Sequence, residues 1–393
     1  MALTKLTGNL IEGGVGMEWD ATVQTSNFTA VSEKGYFVNT TSNEITVSLP
    51  AGTVGAQVIL QDYAGTFGTN KVIISANGSD KIQGTTSDFQ CATNYSKILL
   101  IYQNATKGWT ADNITVLPLT VEWLVVAGGG AGGGNSWISG GGGAGGLRTS
   151  YGTTSGGGAS AENDIIASSG DSFTVTIGAG GAGATTQGTN GSDSTFSTIT
   201  SLGGGGGGGS YNSSSVNGLS GGSGGGAGGA TYWSGSGGSG TVNQGYAGGA
   251  SSAVVSCGVG TCQAGGGGGA AGTGTSNVTA TDNTTSAGAG LVMDITGSNV
   301  TYGYGGRGLQ LTTGFTAGGS TTNTGNGGWG AYHDPTGVWG NPTNVSGAAG
   351  IVILRYPSGG SLTLGAGLTG STATVGSSKV TSITAGTGTV TFA

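Results

Sequence analysis

The sequence predicts a mainly β protein in three regions. Residues 1–118 read as a β sandwich or barrel module. Residues 119–358 read as a glycine-rich domain of packed, extended glycine helices bracketed by β-strands, and residues 359–393 as a short C-terminal β hairpin. Three observations carry this reading. Of 393 residues 92 are glycine, yet residues 1–120 hold only 12 of them. Two apolar runs rich in β-branched residues, Thr120–Ala127 and Gly350–Pro357, stand at the two ends of the glycine-rich stretch. Outside that stretch, strand-length segments stand between turn residues, with apolar and polar residues alternating at Ile45–Leu49, Lys379–Thr384 and Gly388–Ala393.

Composition narrows the function classes. Charged residues make up 7% of the chain, against roughly 25% in ordinary soluble domains. The net charge is −7, and between Lys107 and Lys379 only Arg148, Arg307 and Arg355 are basic. A nucleic-acid partner is therefore not expected, since such binders present a basic face. No apolar run approaches the roughly 18 residues of a membrane helix, so no membrane insertion is expected. Collagen needs glycine at every third position with abundant proline, and the chain has 5 prolines. Met1–Ile11 holds no continuous apolar stretch, so no secretory signal is read there.

In the first region, Ile45–Leu49, Gln57–Asp62, Lys71–Ser75 and Lys97–Tyr102 have the composition and spacing of strands. Tyr63–Asn70 and Ala76–Asp80 carry the turn residues between them.

In the second region, Asp171–Gly178 is the clearest internal strand, and Trp123 and Phe173 are expected in the core. The bracketing runs are expected to pair, so that the ends of the region meet. Between them lie Gly140–Gly143, Gly203–Gly209 and Gly265–Gly269. Glycine loses the most backbone freedom on ordering, which makes disorder the competing reading. The bracketing strands, the purity of the runs and the apolar residues between them favour order. A glycine chain can take the three-residue polyproline-II helix, rising about 3.1 Å per residue. Without Cβ atoms such helices can lie side by side, their N–H and C=O groups bonded to neighbouring runs. Ser210–Ser220, Ala230–Gly245 and Gly327–Asn344 are then expected as surface loops, and Thr189–Asp193 as a hairpin turn.

Aromatic residues fall between the glycine runs. Trp137, Tyr151, Tyr211, Tyr232, Trp233, Tyr246, Trp329, Tyr332 and Trp339 are the candidate binding residues. Tryptophan and tyrosine offer rigid contact area with a polar tip. They suit capping the ends of a lattice equally well. In the third region Lys379–Thr384 and Gly388–Ala393 alternate around Ala385–Gly388, which reads as a hairpin.

Catalytic signals are weak. Gly221–Gly225 matches G-x-S-x-G, but no helix follows it and His333 is the sole histidine. The acids between 121 and 358 are scattered singly, so no carboxylate pair for glycan hydrolysis can be named. Cys257 and Cys262 flank a Gly-Val-Gly-Thr turn that would close into a small disulfide in oxidising surroundings; two buried thiols are the alternative. No metal site, no cofactor and no enzymatic activity are expected.

The order of segments resembles that of bacteriophage tail fibres. Gly35–Pro50, followed by Asp62–Lys71 and Ala105–Trp109, is similar to the N-terminal β modules of phage fibre proteins. Val121–Gly130, Gly-Gly-Leu-Arg148 and Gly350–Pro357 are similar to the glycine-rich domain of phage fibre and adhesin proteins, and Ile383–Thr391 resembles their tails. The resemblance implies a sandwich of polyglycine-II helices whose loops recognise the bacterial host surface. It implies a homotrimer on the virion surface, with other virion tail proteins as partners and a bacterial surface glycan or outer-membrane protein as receptor. The chain departs from the pattern in having no long helical shaft and no large tail-docking domain, so fibre, fibre tip and capsid decoration stay open. A structural filament subunit without a receptor is the competing reading.

Overall fold

The computed structural model describes residues 17–115, 119–134, 139–168, 170–184, 186–209, 217–229, 234–252, 263–276, 278–279, 287–308, 322–331 and 346–392. The chain divides into two compact units, Met1–Pro118 and Leu119–Ala393.

The first unit comprises β1 (Glu18–Gln24), β2 (Phe28–Thr29), β3 (Lys34–Val38), β4 (Ile45–Ser48), β5 (Gln57–Asp62), β6 (Val72–Ser75), β7 (Phe89–Cys91), β8 (Ser96–Asn104) and β9 (Gly108–Thr115). They form two sheets, in the orders β1-β3-β5-β8-β9 and β2-β4-β6-β7. The pleat points one side chain in two inward: Val58, Leu60, Val72, Ile74, Ile98 and Leu100 share one buried cluster with Tyr36, Phe67 and Trp109. The winding is less ordinary. From β1 to β6 the chain alternates between the sheets and pairs in parallel within each, so it coils through three rungs before β7, β8 and β9 pair antiparallel. Buried Asp62 holds the corner after β5. Its carboxylate accepts the backbone N–H groups of Thr66, Phe67 and Tyr95 at 3.1, 3.1 and 2.9 Å.

The second unit comprises β10 (Leu119–Val126), β11 (Leu147–Thr149), β12 (Ile165–Ala167), β13 (Ser172–Thr176), β14 (Ser194–Phe196), β15 (Ile199–Ser201), β16 (Gln263–Ala264), β17 (Val278–Thr279), β18 (Leu291–Met293), β19 (Val300–Tyr302), β20 (Ile351–Pro357), β21 (Leu362–Leu364), β22 (Leu368–Val375) and β23 (Ser378–Phe392). The main sheet, β11-β10-β20-β23-β13-β14-β15, curls into a near-closed barrel. Across its seam the Ser201 hydroxyl donates to the Val125 carbonyl at 2.9 Å. The interior holds Trp123, Val125, Phe196, Leu354, Tyr356 and Phe392, with Phe173 packed against them.

β10 and β20 pair antiparallel, Trp123 opposite Leu354, so the ends of the glycine-rich stretch do meet. Both strands are also covered on their other face, where Leu124, Val126, Ile351 and Ile353 pack with Met293, Ile295 and Tyr302. Burial on both faces is why Trp123–Val126 and Ile351–Leu354 read as unbroken apolar stretches and not as alternating ones.

The C-terminal hairpin is placed differently from its expectation. Ala385–Gly388 is not a turn: β23 runs through it without a break. Gly386 takes φ +99°, and the opposite strand shifts register between Thr369 and Gly370. The extra residue is Thr384, left between Ala385 opposite Thr369 and Ile383 opposite Gly370; such a bulge bends its strand, and glycine takes the positive φ nearby at little cost. The bend lets the first half of β23 pair with β20 and the second half with β13. The turn is instead at Gly376-Ser377, with Gly376 at φ +60°, and joins β22 to β23. Residues beyond 358 are thus part of the barrel sheet.

Candidate functional site at the distal end of the glycine lattice

The glycine runs continue the barrel strands beyond one barrel end. Ala127 follows β10, Gly146 precedes β11, Leu202 follows β15 and Gly350 precedes β20. The runs are neither α-helical nor paired as strands, and their bonding has a period of three. Seven successive amides donate in rotation at 2.7–3.1 Å. Gly140, Gly143 and Gly146 donate to Gly208, Gly205 and Leu202; Gly141 and Ala144 to Gly265 and Gly268; Gly142 and Gly145 to Gly328 and Gly325. Carbonyls of the same run accept from three further segments, through Gly130 and Gly133, Ser223 and Gly226, and Gly306. No polyglycine-II helix is delineated as an element. What the structure shows is a run bonded to six neighbours in a threefold rotation, the period of a polyproline-II-type chain.

The lattice explains the composition. A Cβ on Gly142 would lie 2.1 Å from the Gly130 carbonyl oxygen, and one on Gly205 only 1.9 Å from that of Leu219. Neighbouring backbones occupy the space of the side chain. Ala131, Ala144, Ala227 and Ala270 mark buried places where a methyl group fits.

At the flanks, side-chain oxygens stand in for a missing neighbour. Gly203 donates to Asp193 Oδ1 at 2.8 Å and Gly206 to Asn190 Oδ1 at 2.9 Å. Ser236 donates to Asn217 Oδ1 and Tyr304 to Asn326 Oδ1, both at 2.8 Å. Thr189–Asp193 is therefore not a hairpin turn; it is an extended lattice run whose Thr189 and Ser192 carbonyls accept from Ala131 and Gly128. Sequence reasoning missed these caps. Their signal was an Asn and an Asp three residues apart between small residues.

The bonding registers also define a distal end. Ala127 bonds Gly146 beside the strands, then Gly130 bonds Gly143, then Gly133 bonds Gly140. Gly134 and Ser139 therefore lie farthest from the barrel. The other registers bring Gly209 and Asn217, Gly229 and Ser234, Ser252 and Gln263, Thr279 and Ala287, and Ala331 toward that same end, while Ser346 joins the lattice lower down, next to Gly347 on the Gly181 and Gly129 level. The chain between these pairs is 135–138, 210–216, 230–233, 253–262, 280–286 and 332–345. Trp137, Tyr211, Tyr232, Trp233, Tyr332, Trp339, Cys257 and Cys262 belong to it and lie outside the described residues.

The expected loops are shorter than the sequence suggested. Of Ala230–Gly245, residues 234–240 are lattice: Gly235 and Gly238 are buried while Ser236 and Ser239 are exposed. Serine is tolerated wherever the three-residue period turns it outward. Leu219 donates to Gly206, and Gly327 and Gly328 donate to Tyr304 and Gly130, so these too are lattice.

The three candidate aromatics among the described residues have separate places. Tyr151 follows β11 at the barrel end. Its hydroxyl donates to Asp294 Oδ1 at 3.0 Å, and the Arg355 guanidinium lies 5.5 Å from its ring centre. Burial, then Asp294, push its pKa above the ordinary tyrosine value. Tyr246 is a lattice residue, donating to Gly269 and accepting from Gly224. Trp329, two residues before Ala331, stands next to the distal end with the Arg307 guanidinium 5.1 Å from its ring. The other two arginines serve the barrel. Arg355 pairs with Glu122 across the strands at 3.5 Å, and Arg148 forks onto both oxygens of Glu162. Burial raises the Glu122 pKa; Arg355 opposes this and Asp164 adds to it.

These features define an all-β protein in which a backbone-bonded glycine lattice extends one end of a barrel. Residues 105–357 match the glycine-rich domain family, and the chain belongs to that family. A search of curated proteins gave no match.

Proposed function

We propose that the protein is a non-enzymatic virion surface protein, a phage tail fibre that recognises the bacterial host through the distal end of its lattice. One observation supports this above the rest: the bonding registers gather most run ends at one end, so most of the aromatic-bearing segments between them start and finish there. A lattice with its amides and carbonyls bonded across runs is a stiff base, and contact residues held by a rigid scaffold lose less entropy on binding. The receptor is a bacterial surface glycan or an outer-membrane protein, met by tryptophan and tyrosine side chains. The first unit attaches the protein to other virion tail proteins. Several copies acting together, with three as the number the resemblance implies, raise avidity without stronger single contacts. The low charge makes adsorption only weakly dependent on salt.

The test exchanges 210–216 or 332–345 for glycine-serine segments of equal length. Adsorption to host cells is expected to fall while thermal unfolding is unchanged. Unchanged adsorption for both exchanges refutes the reading. A second reading, a structural filament or capsid-decoration subunit without receptor binding, is favoured by β22, which among the described residues pairs with a neighbour, β23, along one edge alone. Electron microscopy separates the two: filaments of this chain alone favour the second, discrete particles on tails the first.

A further inference from the structure

β22 is built unlike the strands around it. Six successive residues, Thr369–Thr374, are exposed. A strand with one face on a core alternates between buried and exposed, as β8 does from Ser96 to Tyr102. One edge of β22 pairs with β23 from Leu368 to Val375. Among the described residues, no strand pairs with its other edge, and Thr369–Val375 make no backbone hydrogen bond outside that ladder. Every second N–H and C=O on that side is therefore without a backbone partner among the described residues.

Natural edges are blunted by lysine, proline, inward charge or a cover. The sequence Leu-Thr-Gly-Ser-Thr-Ala-Thr-Val has no charge and no proline. Its threonines and valine favour extended chain. Such an edge is a template for strand addition.

We propose that the free edge of β22 docks a second copy of this chain, adding a strand to the barrel sheet through main-chain hydrogen bonds. The occupant follows from the chemistry of the edge. β22 already pairs with hydroxyl-bearing residues on its other side, Ser371 opposite Ser382 and Thr372 opposite Thr381. A second β22 offers the same residue types, and cross-strand Thr and Ser pairs are favourable. The chain carries a net charge of −7, so copies repel over most of their surface. The neutral edge is a place where they can meet without burying an unpaired charge. This proposal does not depend on host recognition at the distal end.

The test is sedimentation velocity of the full chain over a concentration series, for wild type and for the double variant Ser371→Lys, Ala373→Lys. Neither residue makes a side-chain hydrogen bond among the described residues, and both are exposed. Wild type is expected to sediment as two or more copies and the variant as one, with unchanged thermal unfolding. Hydrogen exchange supplies a second reading on wild type alone: β22 amides should slow as concentration rises. A single-copy wild type, a variant that assembles like wild type, or β22 amides that exchange equally fast at all concentrations overturns the proposal.

Discussion

Replacing Gly142 by alanine tests the lattice where it is densest. The new Cβ would sit 2.1 Å from the Gly130 carbonyl oxygen and 2.7 Å from that of Ala131. Both are backbone atoms, so no side chain can rotate away. Reaching ordinary contact near 3.4 Å moves the run by about 1.3 Å. That breaks the bonds from Gly142 to Gly328 at 2.8 Å and from Gly306 to Gly142 at 2.7 Å. Losing each of these two buried bonds costs about 1–3 kcal/mol. Alanine returns about 0.4–1 kcal/mol by restricting the unfolded chain. The net expectation is a loss of about 1–5 kcal/mol. Urea unfolding followed by tryptophan fluorescence measures it, with Gly359→Ala as control. Nothing lies within 4 Å of a Cβ on Gly359, so that change should stay within about 0.5 kcal/mol. A Gly142→Ala protein within about 0.5 kcal/mol of wild type would refute the close-packed lattice.

Asn190→Ala leaves the buried Gly206 amide without its acceptor; a loss of about 1–3 kcal/mol is expected in the same urea assay. Burial pushes Tyr302 up to about 12, so the folded state keeps its proton where the unfolded chain, at 10.0, has lost it. Stability therefore falls between pH 10 and about 12, by a few kcal/mol. Tyr302→Phe should flatten that alkaline limb in unfolding curves taken across the window. The raised pKa of Glu122 has the same sign at acid pH: the folded state binds more protons above 4.5, and stability falls as pH rises through that region. Glu122→Gln should remove that slope, which melting temperatures at successive pH values will report.

Much of the fold was legible because it rests on local chemistry. Period-two alternation located β4, short apolar runs between turn residues located β5, β6 and β8, and the β-branched apolar character of Thr120–Ala127 and Gly350–Pro357 marked the paired bracketing strands. The sparse side chains of the glycine runs pointed to backbone-to-backbone packing before any contact was known. The candidate site was less legible. Tyr151 was grouped with the loop aromatics, yet its hydroxyl and ring are held by Asp294 and Arg355 from distant strands. Asn190 and Asp193 looked like turn residues because nothing nearby in sequence shows that their partners are the amides of Gly206 and Gly203.

By itself the sequence determined which segments extend, which positions exclude a side chain, and that charge plays little part. Tertiary structure alone decided which run lies beside which, that the first six strands coil in parallel, that β23 bulges at Thr384, and that most run ends gather opposite the barrel. The physical reason is the uniformity of the backbone. A glycine amide offers the same donor and acceptor to every neighbour, so the choice of neighbour is made by the strands that anchor the runs, through pairings between residues far apart in the chain.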